Sequence, residues 1–236
     1  MHDSPPPSPP VTAILAARNE SATIADVIRA TRAVLPPGSE ILVVDDGSRD
    51  ATAALAEEEG ARVIRRTGGA HGKGLALRDG LAAAHGDVLV FLDADGQDPP
   101  DDLPRLLAAL TPEVDLVNGS KFLGTCLPGA LSPLNRVGNR FMSGLVNLLF
   151  GLAITDSQSG FRAARRRRVA ALPLVAREYE IETEMLLRAA LAGLRIVEVP
   201  VTRDRRRAGR SGFRRVRNGL RILAWIVALR VGGLGR

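Results

Sequence analysis

Two apolar runs in this chain stop abruptly on carboxylates: Ile41-Leu42-Val43-Val44 on Asp45-Asp46, and Val88-Leu89-Val90-Phe91-Leu92 on Asp93-Ala94-Asp95. A short run of β-branched and leucine side chains without polar alternation offers no face to water. It belongs in a parallel strand buried on both sides. In open α/β sheets the carboxyl ends of such strands border the crevice where ligands bind. The chemistry of this chain is therefore expected at the ends of these two strands.

The rest of the first half keeps the same rhythm. Strands are expected at Val11–Ala17, Glu40–Asp45, Arg62–Arg65, Asp87–Asp93 and Val114–Asn118, with helices over residues 21–35, 50–60, 75–85 and 101–110. Alternation of this kind predicts an α/β fold with a mostly parallel, doubly wound sheet and flanking helices. A dinucleotide-binding oxidoreductase would need G-x-G-x-x-G directly after the first strand, where this chain has Ala17-Arg18-Asn19-Glu20. Gly68 to Gly74 is glycine-rich but lacks the P-loop spacing. With 236 residues, 45% of them hydrophobic, the chain can bury one full core and carry a C-terminal appendage.

The basic excess is modest, 32 Lys+Arg against 26 Asp+Glu, but it gathers in the second half at residues 162–168, 203–210 and 214–221. Only Lys73 and Lys121 are lysines. Arginine suits diphosphate recognition because its planar fork donates two hydrogen bonds at once. Nucleic-acid binding is a poor use of this charge, since aromatics are only 3% and offer no stacking platform. Cys126 is the single cysteine, which excludes an internal disulfide framework or a cysteine-built zinc site and fits a reducing, cytoplasmic setting. Residues 1–10 read as a disordered proline-rich tail without the apolar stretch of a signal peptide. No segment reaches the roughly 20 apolar residues that span a bilayer.

Asp93 and Asp95 leave their strand spaced so that both lean toward one hard divalent cation, and Gln97 adds a neutral oxygen two residues on. Mg²⁺ or Mn²⁺ prefers such oxygen ligands and bridges carboxylates to substrate phosphates. The same triplet also suits an Asp-rich turn that caps the helix started by Pro99-Pro100-Asp101. The second acidic strand end at Asp45-Asp46 favours the cation.

These residues carry a resemblance. The chain resembles a family 2 glycosyltransferase with a GT-A fold, of the polyprenyl or dolichyl phosphate hexose synthase type, over residues 11–213. The matching blocks are Ile14 to Glu20, Val43 to Thr52 (VVDDGSRDAT), His71-Gly72-Lys73-Gly74, Asp93 to Pro100 (DADGQDPP), Gly119-Ser120-Lys121 and Asp156 to Arg162 (DSQSGFR). Their ordered agreement is more specific than any one of them.

The resemblance implies an inverting, metal-dependent enzyme that moves a hexose from a nucleotide-sugar, UDP-glucose or GDP-mannose, to a polyprenyl phosphate. The DSQSGFR block leans toward UDP-glucose. It implies that Asp45 contacts the base or ribose, that Asp46 lies beside it, that Glu20 lines the base pocket, and that Lys73 reaches the nucleotide or its phosphates. Asp93, Asp95 and Gln97 would hold the cation. Lys121 and Arg136 would anchor the lipid phosphate, and Asp156 would face the sugar as a weak base or, in the favoured reading, as a positioning group. Arg210-Ser211 resembles a late phosphate-clamping loop, although Gly212 stands where a lysine is usual. The acidic cluster at Glu180, Glu182 and Glu184 suits either a helix dipole or a sugar contact.

Residues 11–209 are thus expected as the transferase domain and 210–236 as a basic amphipathic helix. In that helix Arg210, Arg214, Arg217 and Arg221 oppose Phe213, Val216, Leu220, Leu223 and Val227. The pattern suits contact with an anionic membrane surface as well as packing on the domain. Leu134, Val137, Phe141, Leu145, Leu148 and Leu149 form a second apolar stripe. The protein is expected to be peripheral on the cytosolic face of the membrane, with a separate membrane protein as a further partner. Transfer to a glycan or other hydroxyl, and a non-catalytic nucleotide-sugar-binding adaptor, are the alternative readings.

Overall fold

The apolar runs of the first half form parallel strands: β1 (Val11–Ala17), β2 (Glu40–Asp45), β3 (Arg62–Arg65) and β4 (Val88–Asp93). Leu42, Val43 and Val44 are inaccessible, as are Leu89 and Val90, because helices cover both faces of these strands. The computed structural model describes residues 10–68, 71–207 and 215–232. Three further strands, β5 (Leu116–Cys126), β6 (Arg162–Arg165) and β7 (Ile196–Arg203), complete a seven-stranded sheet of order β3-β2-β1-β4-β6-β5-β7. β6 runs antiparallel to both of its neighbours, so the sheet is mostly rather than wholly parallel.

The strand order fixes where a ligand can bind. From β1 the chain winds outward through β2 and β3, then returns to place β4 on the other side of β1. The carboxyl end of β1 is therefore the topological switch point, and the helices that leave it diverge to open a crevice. Register sets Ala17 opposite Asp45 and Ala16 opposite Asp93, so the two acidic strand ends flank the end of β1.

The helices between the strands are α1 (Ile24–Val34), α2 (Thr52–Glu58), α3 (Lys73–Ala83) and α4 (Leu103–Ala109). α1 buries Ile24, Val27, Ile28 and Thr31 on one face and ends where Pro36 removes the next donor. Thr23 at its start donates to the carbonyl of Ala94 at 2.8 Å, tying α1 to the β4 end. α3 begins at Lys73, two residues earlier than its apolar pattern indicates. A Cβ on Gly72 would lie 2.2 Å from the Arg177 carbonyl and one on Gly74 2.5 Å from that of Ala176. Glycine at both positions lets the 175–177 backbone lie against the helix start.

The second half adds α5 (Pro133–Phe150), the single turn α6 (Arg166–Val169), α7 (Ile181–Leu191) and α8 (Arg215–Arg230). The hydroxyl of Ser132 caps α5 by accepting from Asn135 N, and Gly151 closes it in the left-handed conformation. One apolar core lies on each face of the sheet, and a third, built from Val146, Leu187, Ile222, Ile226 and Leu229, joins α5, α7 and α8. No helix among the described residues is long and apolar enough to cross a membrane.

Candidate active site

The crevice at the switch point is a cleft of about 1280 Å³ lined by the ends of β1 and β4, the start of α3, one face of α5 and part of α8. It exceeds the roughly 300–1,000 Å³ of a typical single-ligand pocket, enough for two reactants side by side.

Asp93 ends β4 at the floor of the cleft. Its Oδ1 lies 2.6 Å from Lys73 Nζ, and the same ammonium lies 2.5 Å from Glu182 Oε1. Burial disfavours the charge on Lys73, but Asp93 and Glu182 outweigh it and hold the amine well above the usual lysine range. Burial also works against Asp93, yet Lys73 keeps that carboxyl below its ordinary value. Burial prevails at Glu182 and raises its carboxyl. Glu182 lines the cleft, and its Oε2 is buried without a hydrogen-bond partner. Of the acidic cluster whose role the sequence leaves open, Glu182 alone lines the cleft. Glu184 accepts from the Val175 and Ala176 amides and from Arg188, and Glu180 pairs with Arg221.

Asp95 receives the Gln97 amide on Oδ1 at 3.0 Å and Arg206 on Oδ2 at 2.7 Å. The other arm of the Arg206 guanidinium pairs with Glu20 at the β1 end. Burial pushes the Glu20 carboxyl up to about 7, with Arg206 pulling the other way. Gln97 differs from its expected role as a neutral ligand. Its Oε1 accepts from Arg203 at 3.0 Å and its Nε2 donates to the Asp204 carbonyl at 3.1 Å, so its amide is spent on the end of β7 and the residue that follows it. Arg203 also pairs with Asp98 at 2.7 Å.

At the β2 end, Asp46 rather than Asp45 lines the cleft. Its Oδ2 accepts the Gly72 amide at 2.7 Å and its Oδ1 takes Arg66, which fixes the approach to α3. Asp45 is buried and accepts the Ser48 amide at 3.2 Å.

The opposite wall carries Lys121, whose ammonium pairs with Asp156 Oδ2. Asn139 donates to Asp156 Oδ1 at 2.8 Å, so both oxygens of this inaccessible carboxylate are engaged. Below it, Glu198 accepts from the amides of Thr155 (2.6 Å) and Asp156 (3.1 Å), from the Thr155 hydroxyl and from Asn118. Arg162 donates to Asn118 Oδ1 and to the Glu182 carbonyl; burial pushes its guanidinium down to about 10. Arg136 departs from its expected place beside Lys121. It is exposed and does not line the cleft, because helical spacing turns Asn135, Gly138, Asn139 and Met142 inward instead. Arg210 and Ser211 lie outside the described residues.

Sequence reasoning missed Arg203, Arg206, Asn139 and Glu198 as site groups. The two arginines lie in a basic run visible in the sequence, but nothing in their spacing separates them from their neighbours.

A divalent cation fits the donor set. Among the described residues no cluster of three or more acidic, histidine or cysteine side chains surrounds one point. Two carboxylates, Asp93 and Asp95, share the β4 end, and Asp95 already carries a positive group. Mg²⁺ and Mn²⁺ sites commonly use one or two carboxylates and complete the shell with diphosphate and water.

The fold superposes on glucosyl-3-phosphoglycerate synthase from Mycobacterium tuberculosis in complex with Mn²⁺, uridine diphosphate and glucosyl-3-phosphoglycerate. The TM-score is 0.74, with 27% identity, covering 95% of this chain and 80% of that one. The architecture is that of a GT-A glycosyltransferase. Residues 12–170 match the family described as Glycosyl transferase family 2, and the chain belongs to that family. It is 37% identical over 199 residues to Glycosyltransferase AglJ of Haloferax volcanii, covering 83% of this chain but 64% of that relative's length. It is 38% identical over 192 residues to undecaprenyl-phosphate mannosyltransferase of Micrococcus luteus, covering 74% of this chain and 76% of that one.

Proposed function

We propose that this family 2 glycosyltransferase moves a hexose from a nucleotide-sugar to a polyprenyl phosphate at a membrane surface. One observation carries the lipid acceptor. Leu134 and Val216 line the cleft, yet they are 65% and 77% exposed, and they continue outward into exposed Val137, Phe141 and Leu148 on α5 and Leu220 and Val227 on α8. Paired apolar stripes leading to a polar cleft match a substrate with a charged head and an apolar tail. Arg136, Arg140 and Arg217 are exposed on the same two helices, which suits an anionic surface. The name of the Micrococcus luteus relative points to the same acceptor class.

In this reading an oxygen of the acceptor phosphate attacks the anomeric carbon. The bond from that carbon to the donor diphosphate breaks, and the nucleoside diphosphate leaves with the electron pair. The attacking oxygen is already ionised, so no proton need be removed. Lys121, held by Asp156, would anchor the acceptor phosphate, and positioning is the largest contribution such a wall can make. Asp156 then acts through Lys121 and Asn139, since both its oxygens are engaged. Glu182 lines the cleft beside Lys73 and Asp93 and suits a sugar hydroxyl. Asp46 and Glu20 border the nucleotide end, with Asp45 behind them. A Mg²⁺ or Mn²⁺ ion held by Asp93 and Asp95 would neutralise charge on the leaving diphosphate. A hydroxyl acceptor would require a free base, a role that the pairing of Asp156 disfavours.

The test is transfer of label from UDP-glucose and GDP-mannose, in parallel, into an organic phase containing polyprenyl phosphate. Label from one donor, abolished in Asp95→Ala and by chelation, is the expected result. Donor binding without lipid label would refute the acceptor.

A further inference from the structure

The segment after β7 is laid across the acidic end of β4 by a set of specific contacts. Arg206 reaches Asp95 Oδ2 with one arm, at 2.7 Å, and Glu20 with the other. Three residues earlier Arg203 grips Asp98 at 2.7 Å and Gln97 at 3.0 Å. The backbone closes the arrangement, with Asp204 N donating to the Gln97 carbonyl at 2.8 Å and the Gln97 amide group returning a bond to the Asp204 carbonyl. Glu20 leaves the end of β1 and Asp95 the end of β4, so one guanidinium bridges the two strands that define the switch point.

We propose that Arg206 acts as a resident counter-cation of this site, so that a divalent ion gains Asp95 only by displacing Arg206 and releasing its hold on Glu20. The proposal rests on the reading of Asp93 and Asp95 as cation ligands. A guanidinium and a divalent ion cannot share the same carboxylate oxygen, and their like charges repel at that range. An ion arriving alone must therefore break two charge-assisted hydrogen-bonded pairs. An ion arriving with a nucleoside diphosphate offers the freed arginine an alternative anionic partner. Cation and nucleotide then bind with positive coupling, each strengthening the other by the same factor. Arg203, anchored on Asp98 and Gln97, keeps the displaced side chain tethered near the cleft. The consequence for the enzyme is that it holds little cation without donor and does not leave its acidic motif uncompensated.

The experiment is titration of the full chain with Mn²⁺, followed by electron paramagnetic resonance of the free ion, without nucleotide and with UDP or GDP. Arg206→Gln removes the counter-cation, and Arg206→Lys keeps the charge but cannot span both carboxylates. Arg205→Gln removes a neighbouring charge whose Nε donates to the Pro128 carbonyl, and it reports the general electrostatic effect. Asp95→Asn removes the ligand. Arg206→Gln is expected to tighten Mn²⁺ binding without nucleotide by about tenfold or more, the scale of charge-assisted bonds relieved. It should also reduce the coupling between Mn²⁺ and nucleotide, with Arg206→Lys intermediate and Arg205→Gln within about twofold of wild type. Equal effects of Arg206→Gln and Arg205→Gln, or unchanged Mn²⁺ affinity in Arg206→Gln, would overturn the proposal while leaving the cation site intact. Failure of the wild type to take up Mn²⁺ with either nucleotide would overturn both.

Discussion

Lys73 and Asp93 form a partly buried ion pair, 2.6 Å apart, at the floor of the cleft, and the same ammonium serves Glu182. One amine from the start of α3 thus joins the last residue of β4 to the second residue of α7. Lys73→Met would leave partly buried Asp93 and buried Glu182 without their shared counter-charge. Removing one partner costs about 3–5 kcal/mol where a pair is fully buried, and less where the cleft leaves part of it accessible. The denaturation midpoint should fall accordingly, and adding Glu182→Gln to Lys73→Met should recover part of the loss. Additive destabilisation in the double variant would contradict the shared role.

Lys121 is expected to act on the acceptor alone. Lys121→Met should raise the KM for polyprenyl phosphate by roughly 10–100-fold, the worth of a charged hydrogen bond, and leave donor affinity within about twofold. Asp156→Asn should shift the same parameter less, because the amide keeps the shape of the carboxylate but not its charge. Initial-rate kinetics with each substrate varied in turn separate the two effects.

The raised Glu20 carboxyl makes a pH prediction. Its value in the folded chain, about 7, lies above the 4.5 of an unperturbed glutamate because of burial. The folded state therefore binds this proton more tightly than the unfolded state. Above pH 7 the ionised group costs stability, and the cost is relieved as pH falls from about 7 toward 4.5. With nucleotide and metal withheld, Glu20→Gln should melt above wild type at pH 8, and the advantage should vanish by pH 4.5. Thermal melts of both proteins across that range check the sign; a larger advantage at low pH would contradict it.

The exposed stripes on α5 and α8 are expected to touch lipid. Phe141→Asp with Leu220→Asp, both on side chains at least 60% exposed, should weaken binding to anionic vesicles by about tenfold or more. Folding and binding of the soluble donor should be unaffected. Vesicle flotation and donor calorimetry measure the two quantities.

Much of the first half is legible in the sequence because its strands are apolar runs closed by charge. β1, β2 and β3 begin and end where the pattern indicates, and Asp46, Asp93 and Asp95 do reach one cleft. β6 is not legible. Arg162-Ala163-Ala164-Arg165 has no strand composition, and it pairs only because β4 and β5 leave an antiparallel gap for it. Gln97 and Arg206 escape sequence reasoning for a related reason. Their partners lie on the far side of the chain, Asp204 for one and Asp95 and Glu20 for the other, and no local spacing encodes such a meeting. In α8, Ile222, Ile226 and Leu229 pack on the domain, one of the two uses its pattern suits, while Val216, Leu220 and Val227 stay exposed.

Whether the acceptor is a lipid phosphate is decided by comparing the phosphate with its alcohol. Initial rates would be measured with polyprenyl phosphate and with the corresponding free polyprenol, under identical detergent and cation conditions and with the preferred donor. A lipid-linked hexose phosphodiester is expected from the phosphate, lost with Lys121→Met at low acceptor concentration, and no product from the alcohol. Transfer to the alcohol at a comparable rate would contradict it.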